Sequence, residues 1–269
     1  MAPLLLPSPE EVHYLLARGA GDTVKGALTP NDTQKITLIV ACCYSLFIGI
    51  VPYLCEIIYP FKLLTVGMHE MCHAIAGTLT CARVESISLD PNEGGATRMR
   101  GGIPAVTLPA GYLGSCFIGA GLIACGFDTN ASKVACLVLS VFFLLTLFWA
   151  RKSWIAWVTI AFAWGLIVVA WLVYHSVALR FVVLFLGVMS CLYCIWDIVD
   201  DTLKRKINSS DASEYARLIG FGSSRAWGAF WLFWACIFFA AGILIGLAAF
   251  KKDWDQQRIA ADNFLGGTP

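Results

Sequence analysis

His69-Glu70-Met71-Cys72-His73 lies inside an apolar run, Phe61 to about Thr80, and the rest of the chain is read outward from it. On a helix, residues four apart share a face, so this H-E-x-x-H spacing lets both imidazoles reach one zinc ion. Glu70, beside the first imidazole, is then placed to take a proton from a metal-acidified water. Two satisfied helix histidines are the bland alternative. The medium argues against it, because an ionisable residue at the centre of a membrane helix costs about 2.5 to 3.5 kcal/mol on insertion scales. Cys72 is offset from the face shared by His69 and His73 and is not taken as a ligand.

The surroundings are those of a membrane protein. The chain is 58% hydrophobic and only 14% charged, with mean hydropathy +0.73, and its runs are long enough to cross a bilayer. They are Ile36 to Tyr59, Phe61 to Thr80, Pro104 to Phe127, Val134 to Ala150, Trp154 to Tyr174, Leu179 to Val199 and Trp227 to Phe250. The expected fold is therefore an all-α polytopic membrane protein of about seven transmembrane helices. A small β-hairpin follows the box helix, because Val84 to Leu89 and Ala96 to Arg100 flank the turn residues Asp90-Pro91-Asn92-Glu93-Gly94-Gly95. Residues 1–35 form an N-terminal cytosolic segment with a short helix opening at Ser8-Pro9-Glu10-Glu11, residues 36–250 one membrane-embedded domain, and 251–269 a C-terminal tail.

The 11 cysteines sit mostly in apolar runs and read as small apolar residues rather than a disulfide framework. A formal net charge of +1 without a basic block gives no electrostatic case for nucleic-acid binding, and no nucleic-acid partner is expected. With the N-terminus inside, seven spans leave all but six of the 19 Lys and Arg on the inner side, the six being Lys62, Lys133, Arg180, Lys251, Lys252 and Arg258. In that topology Asn130 is the one sequon asparagine facing outward. The location is integral and multi-pass, in the endomembrane system (ER or Golgi) or the plasma membrane.

A catalytic zinc takes a third protein ligand and keeps one position open. His13 and His175 are poorly placed, so a carboxylate is expected. Asp197 lies deepest in the sixth apolar run and, with Asp200 and Asp201, falls on one helix face. Asp197 is the first choice, and Asp200 and Asp201 are the alternatives. The small residues of Pro109-Ala110-Gly111-Tyr112-Leu113-Gly114-Ser115 point to close helix packing.

Taken together, the box in an early helix, the hairpin ending in Glu93-Gly94-Gly95, the Pro109 to Ser115 stretch and an Asp at the end of a later helix resemble the site-2 protease superfamily. Within it the chain resembles the short peptidase M-fifty-B-like branch, to which Asp197-Ile198-Val199-Asp200-Asp201 and Asn208-Ser209-Ser210-Asp211-Ala212 are also similar. The resemblance covers residues 60 to 250. It implies an intramembrane zinc metalloendopeptidase in which His69, His73 and an Asp hold Zn2+, Glu70 activates water, and transmembrane protein segments in the lipid bilayer are the substrate. It also implies that the hairpin, at Glu93, Gly94 and Gly95, holds substrate as an added strand. The departure is Asp197-Ile198, where better-known members have Asp-Gly. Two other classes use the same residues: a non-catalytic pseudo-protease acting as a membrane binding or trafficking factor, and a metal or proton transporter.

Overall fold

The structure is a computed structural model that describes residues 21–50, 58–90, 94–173, 176–203 and 210–264, with residue 50 and residues 194–203 described in backbone only. The helix expected at Ser8, Pro52 and Glu93 lie outside the described residues. The chain folds as α1 (Asp32–Ile50), α2 (Tyr59–Leu79), β1 (Arg83–Asp90), β2 (Gly94–Arg100), α3 (Pro104–Cys125), α4 (Thr129–Ala150), α5 (Trp154–Leu172), α6 (Val177–Leu203), α7 (Asp211–Ile219), α8 (Ser224–Ala249) and α9 (Trp254–Asp262).

Short polar residues set where the helices begin. Asp128, Ser153, Ser210 and Ser223 each accept a hydrogen bond from the backbone N–H three residues on, opening α4, α5, α7 and α8. Asp128 is why α4 starts at Thr129 and not at Val134. Lys133 therefore lies within the helix, buried, and donates from Nζ to the Ala261 carbonyl at 2.8 Å.

Among the described residues, α3, α4, α5 and α8 are long and apolar enough to cross a membrane. Their outward faces carry large exposed apolar side chains, among them Val138, Phe148, Val158, Leu172 and Phe233, which suit lipid and not water. The chain is a membrane protein; four of its described helices are of that kind, and the described side chains of α6 add a shorter apolar stretch, Val177–Tyr193. The box helix α2 falls short because its polar residues dilute its apolarity.

The course of α1 and α2 departs further from expectation. Thr37 bonds Arg180 at 2.6 Å and Tyr44 stacks edgewise on Phe185 at 5.2 Å, so α1 runs alongside α6 in the same direction. Phe61 meets the same Phe185 at 5.0 Å and Met68 lies 3.7 Å from Ser190, so α2 runs that way too. Tyr44 and Phe61 share one partner, so these two residues lie at the same depth on helices that run the same way. The start of α1 and the end of α8 then lie at one pole: Asn31 donates to the Lys251 carbonyl at 2.9 Å, and Gln34 to those of Leu247 and Phe250 at 3.0 and 2.7 Å. The sequence reading placed these segments on opposite sides.

That pole is fastened by Arg180, which is fully buried. Its guanidinium donates to the carbonyls of Gly126 and Phe127, to Gln257 Oε1 and to Thr37 Oγ1, and lies 4.7 Å over the Trp254 ring. Residues 254–262, expected to be part of a tail, form α9, which opens with a capping box between Asp253 and Gln256. Asn130, at the start of α4, donates from Nδ2 to the Ala260 carbonyl at 3.0 Å and so faces α9 instead of open solvent.

The opposite pole carries the hairpin, α7 and the box. β1 and β2 pair antiparallel from Arg83↔Arg100 to Asp90↔Gly94, with an irregularity between Val84 and Ser86. Alternation turns Ile87 and Leu89 inward, against α2, where Leu89 meets Gly67 and Met99 meets Gly77. The hairpin thus rests on the box helix, as an isolated two-stranded sheet in water would require. Helix α3 is the centre of the bundle, touching α2, α4, α6, α7 and α8. Its glycines permit this: a Cβ at Gly119 would stand 2.8 Å from the Gly187 carbonyl of α6, and one at Gly242 on α8 would stand 2.6 Å from that of Ala120.

Candidate metal centre

Helix α2 puts His69 and His73 one turn apart on the face turned to α3, with their Nε2 atoms 3.0 Å from each other. Both are buried. Asp211, the first residue of α7, brings Oδ2 to 2.9 Å from His69 Nε2 and 3.0 Å from His73 Nε2. Three lone-pair donors therefore converge on one point.

What fixes them can be followed residue by residue. His73 donates from Nδ1 to the Thr107 carbonyl of α3 at 2.7 Å, so that in the neutral ring the lone pair is on Nε2 and faces the cluster. His69 is held by the Tyr112 ring, edge-on at 4.7 Å, and its Nδ1 is buried with no hydrogen-bond partner among the described residues. Asp211 is positioned by the docking of α7. Ala212 is buried beside Tyr112 and Trp231, and Tyr215 lies against Trp227 at 4.6 Å and Trp231 at 5.5 Å. Such aromatic pairs are worth about 0.5 to 1.5 kcal/mol each beyond their burial.

The donors suit a cation. Two imidazole nitrogens and one carboxylate oxygen are zinc's usual ligands, and bonds of about 2.0 to 2.1 Å in a tetrahedron put ligand atoms roughly 3.3 Å apart. The observed 2.9 to 3.0 Å is close to that spacing. Burial pushes the Asp211 carboxyl up, but the charge and hydrogen bonds of the two imidazoles outweigh it and hold the group well below the usual carboxylate range. Gly111 of α3 keeps the centre open: a Cβ there would meet His73 Nε2 and stand 2.5 Å from His69 Nε2.

Glu70 is buried on the hairpin side of α2 and accepts from Thr97 Oγ1 at 2.6 Å through Oε2. Gly95 lies against the same carboxylate, and a Cβ on it would meet Oε1 and stand 2.7 Å from Cδ. Cys72 packs instead on Gly114, away from the donors. Of the hairpin residues expected to touch substrate, Gly95 faces Glu70, Gly94 opens β2 with φ of 90°, and Glu93 is not described.

The carboxylate that meets the imidazoles among the described residues is Asp211. Asp197, Asp200 and Asp201 lie on α6, in the part described in backbone only, so the expectation that one of them is the ligand falls outside the described side chains. Asp211 is more than 130 residues from the box and opens a short helix in the polar stretch between the sixth and seventh apolar runs, where depth in the membrane gave it no weight. The available signal was Ser210-Asp211-Ala212, a helix start that puts a carboxylate in the first turn.

The Peptidase M50B-like family model matches residues 37–242, a span that takes in the box, the hairpin, α3 and α7. The chain belongs to the Peptidase M50B-like family. No curated protein and no solved structure matches it. In this M50B-like member, α9 and the junction of Asn31 with Lys251 lie outside the matched span.

Proposed function

We propose that this M50B-like chain is an intramembrane zinc metalloendopeptidase that hydrolyses peptide bonds in or near transmembrane segments of other membrane proteins. The observation that carries the reading is the convergence of His69, His73 and Asp211 beside a buried glutamate in a membrane protein. When bound there, a zinc ion polarises the scissile carbonyl and lowers the pKa of water.

The chain's own residues do the rest. His69, His73 and Asp211 hold the ion. The Thr107 carbonyl keeps His73 in the tautomer that ligates. Glu70 takes the proton from the attacking water and passes it to the leaving amine nitrogen. The hairpin presents substrate: the turn between α4 and α5 covers β1, with Ser153 Oγ 3.5 Å from the Leu89 carbonyl, so the outer edge of β2 is the side an extended segment can join.

The test is co-reconstitution with single-span membrane proteins, new termini being detected by mass spectrometry. Glu70→Gln should keep about one zinc per chain and yield no new termini. Unchanged cleavage in that variant would refute the mechanism. Full biological activity without cleavage would instead identify a non-catalytic binding factor.

A further inference from the structure

Glu70 is held by strand β2 as well as by its own helix. We infer that Thr97 is a positioning residue for Glu70, an inference that rests on the peptidase reading above.

The argument begins with alternation. In β2, Gly95, Thr97 and Met99 share one face, and that face lies along α2, with Gly95 and Thr97 at Glu70 and Met99 at Gly77. Thr97 Oγ1 has one proton and two acceptors in reach, Glu70 Oε2 at 2.6 Å and the Glu70 backbone carbonyl at 3.0 Å. The shorter contact is to the carboxyl oxygen, and an O–H···O hydrogen bond at that distance lies at the short end of the usual range. The last torsion of a glutamate is broad and roughly two-fold, so a carboxylate without such a bond samples many orientations. Gly95 closes the other side, because any side chain there would occupy the place of Oε1. The hairpin is therefore the wall that orients the base as well as the edge that takes substrate.

Thr97→Val keeps the β-branched shape that suits a strand and removes only the hydroxyl. Thr97→Ser restores it without the methyl. In the co-reconstituted cleavage assay, Thr97→Val should lower kcat by about 10- to 100-fold with KM within about two-fold, because a small misplacement of a reacting group costs that much. Thr97→Ser should recover most of the rate, and zinc content should equal wild type in both. A Val variant with wild-type kcat, or a Ser variant as slow as Val, overturns the inference.

A second readout does not need turnover. The carboxylate stretch of Glu70, identified in the infrared spectrum by its loss in Glu70→Gln, should shift in Thr97→Val and stay in place in Thr97→Ser. If it does not move in Thr97→Val, the positioning role is refuted. If it moves as expected and no cleavage is found in any variant, the peptidase reading fails while the role of Thr97 in holding Glu70 stands.

Discussion

Gly111→Ala is the sharpest perturbation of the centre, because it adds one methyl group where the donors meet. A Cβ at this position would stand 2.5 Å from His69 Nε2, whereas ordinary contact begins at 3.4 Å, so something must move by the difference of 0.9 Å. Metal sites tolerate displacements of about 0.2 Å in ligand distance. Either an imidazole turns away or α3 withdraws, and in both cases a ligand is lost. Even partners behind the ligands are worth about 10- to 100-fold in affinity, so zinc binding should weaken by at least about 100-fold. Folding is affected less, since overpacking costs about 1 to 3 kcal/mol. Gly114→Ala is the control: one turn on, its Cβ would stand 2.9 Å from Cys72 Sγ, a similar crowding that touches no donor. The assay is zinc content of detergent-purified protein, followed by competition with a chromogenic chelator. A Gly111→Ala variant that binds zinc with wild-type affinity, or a Gly114→Ala variant that loses it equally, would refute the reasoning.

Asp211→Ala should abolish zinc binding while Asp197→Ala retains it, as read by elemental analysis; the reverse result would return the ligand to α6. Tyr215→Ala removes the ring contacts that seat α7, and zinc affinity should fall by about 10-fold or more, with Tyr215→Phe close to wild type because both aromatic pairs survive. Arg180→Met leaves the Gly126 carbonyl and Thr37 Oγ1 without the guanidinium's bonds, while Gln257 keeps those from Thr129 and the Phe127 carbonyl keeps that from Gln257; thermal unfolding in detergent should reveal a loss of about 3 kcal/mol at unchanged zinc content. Protease-cleavable tags on the two ends of the chain should be cut from the same side of sealed vesicles; cutting from opposite sides would contradict the packing of Asn31 on Lys251.

Much of this was legible in the sequence because it depends on local periodicity. The box needs only four residues on a helix, the hairpin only alternation broken by Asp90-Pro91-Asn92-Glu93-Gly94-Gly95, and the tight packing of α3 only its small residues. Asp211 was passed over as a ligand because its approach to the box is created by Tyr215 settling against Trp227 and Trp231, a tertiary event, while the local pattern Ser210-Asp211-Ala212 marks only a helix start. The direction of α1 and α2 was missed for a related reason. Two consecutive apolar runs look like an out-and-back pair, and the contacts of Thr37 with Arg180, of Tyr44 and Phe61 with Phe185 and of Met68 with Ser190 reveal that they run the same way. Residues after Lys251 look like a tail because the partner that makes them a helix in place, Arg180, is far away in the chain.

The Arg180 junction has a consequence for how the protein can be handled and controlled. From Gly111 to Gly126 helix α3 rises about 22 Å, so the chain's fastening and its chemistry are separated by most of a hydrocarbon thickness. Asn31, Lys251 and α9 all lie at the Arg180 pole, so changes made in them are remote from the cleft. By the same separation, a signal that arrives at the ends has no direct access to the reacting groups. A shift of α3 along its own axis would move the Thr107 carbonyl and the imidazole it holds.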